Sequence, residues 1–220
     1  MPSRRRSSEL ISSPWTALSA QVGPLELLIL CILLTVQTGH PGEADVGNFV
    51  LQARGAETLT VPFVCSGGVG HGSQLIAALA LGAEGVNCGT LFCATQECSW
   101  PSSYKEAMIE ATENDTVLLF RQLHNTARVF GNSVAKQAQA IEMEKGKDIQ
   151  FTDIVDLVAG KRGREAEKNN DKDGGIWSAG QTVGLIHDTP TCQELIDRMV
   201  AQAVAAHTRV SSMLQPSSKL

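Results

Sequence analysis

Val61-Pro-Phe-Val-Cys-Ser-Gly-Gly-Val-Gly70 and Glu84-Gly-Val-Asn-Cys-Gly-Thr90 decide the fold of this 220-residue chain. The first stretch opens with a β-branched and aromatic run, Val61–Cys65, which reads as a short strand ending in the glycine turn Ser66-Gly67-Gly68. Ser73 then offers an N-cap for a helix over Gln74–Leu81, with Gly82 as its stop. The second stretch makes another strand that ends at Gly89-Thr90. Two strands alternating with a helix predict a parallel α/β fold. Glycine at a strand end lets backbone N–H groups point into a common hollow, and such a nest suits a phosphate. Glycine turns also end strands for steric reasons alone, so one turn is weak evidence. Two in succession strengthen it, because in (β/α)8 barrels the loops after strands seven and eight are the usual phosphate grip.

Outward from these units, Ser103-x-x-Glu106 and Thr191-x-x-Glu194 have the spacing of capping boxes that open helices. Leu195, Ile196, Met199, Val200, Ala203 and Val204 form an apolar stripe expected to pack a C-terminal helix on the body of the domain. Thr152–Ala159 reads as a short helix stopped by Gly160, and the mixed-sign run over residues 161–173 reads as solvated. His71, His124, His187 and His207 carry no expected chemistry, with His207 on the exposed flank of the last helix. Six cysteines, Cys31, Cys65, Cys88, Cys93, Cys98 and Cys192, are too sparse for a disulfide scaffold and fit a reducing compartment. The five-residue spacing of Cys88, Cys93 and Cys98 is no metal knuckle, so they read as free thiols and no metal site is expected.

Composition narrows the function classes. The chain is 43% hydrophobic and 19% charged with a net charge of -5, which leaves no chain-wide basic field for a nucleic-acid backbone. Small-molecule partners fit better. Residues 1–24 carry Arg4, Arg5, Arg6 and several serines, a pattern shared by transit peptides and disordered tails. Leu27–Leu34 is apolar throughout, but its eight residues fall short of the roughly 20 that a spanning helix needs. It reads as a buried strand or helix, and no stable membrane span is expected. Ser218-Lys219-Leu220 has the form of the peroxisomal import tripeptide, which makes the import receptor a partner and the peroxisome the expected location. A cytoplasmic or mitochondrial location is the alternative.

Thr38-Gly-His-Pro-Gly-Glu43, the two strand-end stretches, Ala94-Thr-Gln-Glu-Cys98, Leu123-His-Asn-Thr-Ala-Arg-Val129, Val158-Ala-Gly-Lys-Arg-Gly-Arg164, Gly174–Gln181 and Gly184-Leu-Ile-His-Asp188 closely resemble, in order and spacing, the nitronate monooxygenase family, formerly 2-nitropropane dioxygenases. The resemblance implies an FMN-dependent (β/α)8 TIM barrel with a C-terminal helical subdomain. It also implies oxidation of alkyl nitronates with O2 to carbonyl compounds and nitrite, without nicotinamide. By the same resemblance Ser66, Gly67, Gly68, Gly89 and Thr90 hold the FMN phosphate, Gly39 lets backbone approach the flavin ring, and His40 is the catalytic base. Trp177, Gly180 and Gln181 match a segment that closes near the cofactor.

The resemblance covers residues 37–206, an FMN-binding barrel portion and helical region. Residues 1–36 have no counterpart in the family, and residues 207–220 read as a polar tail with the terminal tripeptide. A complete barrel of this kind takes about 250 residues, and the family's earlier strands are not recognisable. The expected fold is therefore α/β, a partial barrel made of about the last strands. Three readings follow: a working flavin enzyme completed by homo-oligomerisation, an inactive fragment, or a regulatory partner of a full-length homologue. Among enzymes, an FMN-dependent enoyl-thioester reductase would use the same phosphate loops.

Overall fold

Val64–Ser66 (β1) and Gly85–Asn87 (β2) pair in parallel, with Cys65 opposite Val86 and Ser66 opposite Asn87. The computed structural model describes residues 46–214. The ladder is shorter than the expected strand at Val61–Cys65 because Pro62 has no N–H to donate. One further bond upstream, from Glu84 N to Phe63 O at 2.8 Å, holds the two chains together. Helix α1, Asn48–Thr58, precedes β1, and α2, Gly72–Ala80, crosses from β1 to β2. The strand, helix, strand order follows the two glycine-terminated sequence stretches.

The start of α2 differs from expectation. His71, not Ser73, is the N-cap: its Nδ1 accepts the Ser73 backbone N–H at 3.1 Å. Ser73 already lies within the first helical turn, so the ring two residues upstream is the group that can reach its free N–H. Gly82 ends the helix as expected, at φ 97°. Gly82 N donates to Leu79 O and Ala83 N to Ala78 O, which satisfies the last carbonyls in the manner of a left-handed glycine cap.

After β2 come α3, Thr90–Cys93, and α4, Ser102–Glu110. The expected capping box at Ser103 and Glu106 is not made. Pro101 is the N-cap, and Ser103 is drawn into a tertiary contact, its N–H bonding Asn170 Oδ1 and its hydroxyl donating to Asn170 O. Thr116–Leu119 (β3) and Ala127–Phe130 (β4) then form an antiparallel hairpin. Glu142 of α5, Ser133–Lys145, is buried and accepts the backbone N–H groups of Phe120 and Gln122. Its carboxylate thereby holds a connection in which Phe120 and His124 take positive φ.

Residues 151–168 also depart from the sequence reading. A 3-10 turn at Phe151–Asp153 and the single turn α6, Val155–Val158, precede α7, Gly160–Lys168. Gly160 opens a helix here instead of stopping one, because Ala159 at φ -58° and ψ 131° makes the break. The charged run is therefore partly helical, and it buries Ala166.

The last helix, α8, spans Cys192–Leu214 and starts with the expected capping box. Thr191 donates its N–H and hydroxyl to Glu194 Oε2, and the Glu194 N–H returns to the Thr191 hydroxyl. These bonds hold the Glu194 carboxyl below its ordinary pKa. The apolar stripe is divided: Leu195, Met199 and Ala203 are buried, while Ile196, Val200 and Val204 are exposed. The helix also runs through Leu214, past residue 206, where the polar tail was expected to begin.

Two apolar cores result. One gathers Cys65, Val69, Ala78, Met108, Val183 and Met199 around the parallel pair. The other lies under the hairpin, with Leu119, Val129, Ala135 and Ile154. Trp177 belongs to the first core, stacked on Phe130 at 4.3 Å and edge-on to Trp100 at 5.5 Å. Among the described residues no helix is long and apolar enough to cross a membrane.

Candidate functional site

Ser66, Gly67, Gly68, Gly89 and Thr90 line one cavity of about 160 Å3, together with Val69, Asn87, Cys88, Gly180 and Thr182. Parallel pairing brings them together, because both strands present their C-terminal ends on the same side of the sheet. Gly67 and Gly68 take φ of 75° and 73°, a region that costs an L side chain roughly 1–2 kcal/mol per residue. The turn is bound to its neighbour strand through Gly67 N, which donates to Asn87 O at 3.0 Å. Behind it, Gln74 donates to Gly68 O at 2.9 Å and accepts from Gly70 N at 2.8 Å. Asn48 donates to Gly67 O at 2.9 Å.

The lining, among the described residues, is rich in donors and carries no charged side chain. Among the described residues no acceptor is bonded to the backbone N–H of Gly68, Val69, Gly89 or Thr90. No atom among the described residues lies within 4 Å of where a Cβ on Gly89 would stand. Cys88 is the ionisable side chain in the lining, and burial, reinforced by Cys65, pushes its thiol up to about 11. It is neutral at physiological pH and puts no negative charge beside an incoming anion. Four N–H donors around one hollow, with no carboxylate in the lining among the described residues, fit a phosphate group. All five described cysteines are free thiols.

Of the residues singled out in the sequence, Ser66, Gly67, Gly68, Gly89 and Thr90 converge. Gly39 and His40 lie outside the described residues, as do the apolar run at 27–34 and the terminal tripeptide. Gly180 does reach the cavity: its N–H donates to Thr90 Oγ1 at 2.9 Å. Trp177 instead sits in the aromatic cluster of the first core and bonds Lys172 O through its indole N–H. Asn87 and Thr182 belong to the cavity lining and were not evident in the sequence. For Asn87 the missing signal is the strand register, which sets it opposite Ser66.

Parallel strands whose glycine-rich ends share a donor-lined hollow define part of an α/β barrel of the (β/α)8 kind. The pattern of the nitronate monooxygenase family matches residues 35–202, and the chain belongs to that family. It is 30% identical over 201 residues to the (3aS,4S,5R,7aS)-5-hydroxy-7a-methyl-1-oxo-octahydro-1H-indene-4-carboxyl-CoA dehydrogenase of Rhodococcus jostii, covering 76% of this chain and 56% of that protein. Among solved structures, FabK from Thermotoga maritima superposes with a TM-score of 0.73 at 29% identity, over 81% of this chain and 55% of that one. A nitroalkane oxidase from Streptomyces ansochromogenes gives 0.60 at 28% identity, over 75% and 46%. The chain thus spans about half the length of the relatives it matches.

Proposed function

We propose that this chain is the phosphate-gripping portion of an FMN-dependent oxidoreductase that oxidises alkyl nitronates with O2 to carbonyl compounds and nitrite. The observation that carries the reading is that the ends of β1 and β2 meet at one hollow whose backbone N–H groups at Gly68, Val69, Gly89 and Thr90 have no bonded acceptor among the described residues and whose described lining holds no charged side chain. FMN, when bound, would accept the substrate's electrons; the protein's part is to hold and orient it. Gly68, Val69, Gly89 and Thr90 would supply backbone donors to its phosphate, and the Ser66 and Thr90 hydroxyls would complete the grip. His40 would remove the α-proton of a neutral nitroalkane, since an imidazole titrates near neutral pH. A nitronate has already lost that proton.

The likeness to FabK supports a second reading, reduction of an enoyl thioester. Anaerobic mixing separates the two. Under the nitronate reading, an alkyl nitronate bleaches the flavin band without any nicotinamide. Bleaching by a reduced nicotinamide, recovered on adding an enoyl thioester and indifferent to nitronate, would instead establish the reductase.

Peroxisomal import through Ser218-Lys219-Leu220 belongs to the same proposal. A fluorescent protein fused to the N-terminus is expected to collect in peroxisomes and to become diffuse when the tripeptide is removed. Diffuse fluorescence in both cases would show that the tripeptide is not read.

A further inference from the structure

Ser66 is only 3% exposed, and its Oγ accepts a hydrogen bond from Asn87 Nδ2 at 3.1 Å. A hydroxyl that accepts from an amide keeps its own proton for another acceptor. Among the described residues none takes it. Thr90 is arranged alike, with its Oγ1 accepting the Gly180 N–H at 2.9 Å. Both hydroxyls therefore accept from neighbouring lining residues and keep their own protons to donate. Together with the N–H groups of Gly68, Val69, Gly89 and Thr90, they make donors predominate in the lining, beside the Asn87 amide oxygen and the Thr182 hydroxyl.

Few groups around the hollow can titrate. The β1 end offers Ser66 to Val69 and no ionisable side chain, with the Cys65 thiol behind it. The β2 end offers Asn87 and Cys88, whose thiol stays protonated well above neutral pH. From α3 comes Thr90, and from the segment after Trp177 come Gly180 and Thr182. Thr182 carries the one lining hydroxyl left able to turn either way.

We propose that Asn87 is a positioning residue that directs the Ser66 proton into the hollow and thereby makes the site select the dianion of a phosphate monoester over its monoanion. A dianion presents three oxygens that only accept. The monoanion carries an O–H that needs an acceptor, and a lining made mostly of donors offers it only the Asn87 amide oxygen and the Thr182 hydroxyl. The inference rests on the FMN reading above and adds to it the charge state that the site takes.

The test is a fluorescence titration of the full chain with FMN at pH 8 and pH 5, with riboflavin as the phosphate-free control at each pH. The second pKa of a phosphate monoester is about 6, so the dianion falls about tenfold between these conditions. The parent should bind FMN about tenfold more weakly at pH 5. Asn87→Asp reverses the bond: the carboxylate takes the Ser66 proton, and the serine turns a lone pair to the hollow. This variant should lose affinity at pH 8 and keep a pH 8 to pH 5 ratio of about threefold or less. Ser66→Ala removes a donor without adding an acceptor, so its affinity falls while the tenfold ratio persists. Should thermal melts show Asn87→Asp unfolded, Asn87→Leu removes the amide and is expected to narrow the ratio likewise. A parent ratio near one overturns the selectivity, and a tenfold ratio retained in the Asn87 variants overturns the role of Asn87. A parent that binds no FMN at either pH instead overturns the flavin reading itself, and this inference with it.

Discussion

Gly72→Val is expected to be among the most destabilising substitutions in the chain, costing about 3 kcal/mol or more, the upper end of what overpacking a close contact costs. Gly72 is the first residue of α2 and faces the backbone of α8. A Cβ there would meet the Met199 carbonyl oxygen and stand 2.6 Å from Ala203 N. Backbone cannot rotate aside as a long side chain can. The Gly72 N–H also donates to Gln202 Oε1 at 2.9 Å, a bond that survives only while the two helices stay in contact. Separating them would expose Met199 and Ala203, both buried in this joint. Urea unfolding of parent and variant measures the effect as a lower midpoint at similar slope. A change below about 0.5 kcal/mol, the usual range of surface substitutions, would mean that the helices do not pack as described.

His40→Asn should remove most turnover of a neutral nitroalkane, by about 10²–10⁴-fold, the usual cost of losing a general base. Asparagine fills similar space and forms hydrogen bonds, but it takes up no proton near pH 7. Preformed nitronate should suffer much less, because its α-proton is already gone. The pair of substrates separates proton abstraction from the electron transfer that follows. Equal losses on both would make His40 a binding or structural residue and leave the base to be found elsewhere.

What was legible in the sequence was whatever is set locally. Gly82 punctuates α2 because a positive φ is needed there, and Thr191 with Glu194 caps α8 through bonds spanning three residues. The same local logic failed where tertiary contacts decide. Ser103 and Glu106 have the spacing of a cap, yet Asn170, distant in sequence, claims the serine. Gly160 has the look of a helix stop, but the break belongs to Ala159 before it. The hairpin of Thr116–Leu119 and Ala127–Phe130 left little trace, because its connection is held by Glu142 on a separate helix. Within the hollow, the glycines and hydroxyls at the strand ends could be read as a set. Asn87 could not, since an asparagine at a strand end resembles any turn residue until the register sets it beside Ser66.

The central claim is that the hollow at the ends of β1 and β2 grips the phosphate of a flavin mononucleotide. Comparing FMN with riboflavin tests it most directly, since the two differ by that phosphate alone. Equilibrium titration at pH 8 should give one FMN per chain, with riboflavin weaker by at least about 100-fold. That factor is the equivalent of two charge-assisted hydrogen bonds at roughly 1.5 kcal/mol each. Gly68→Val should abolish the difference by removing the turn geometry. Equal affinity for the two flavins, or no binding of either, would contradict the claim.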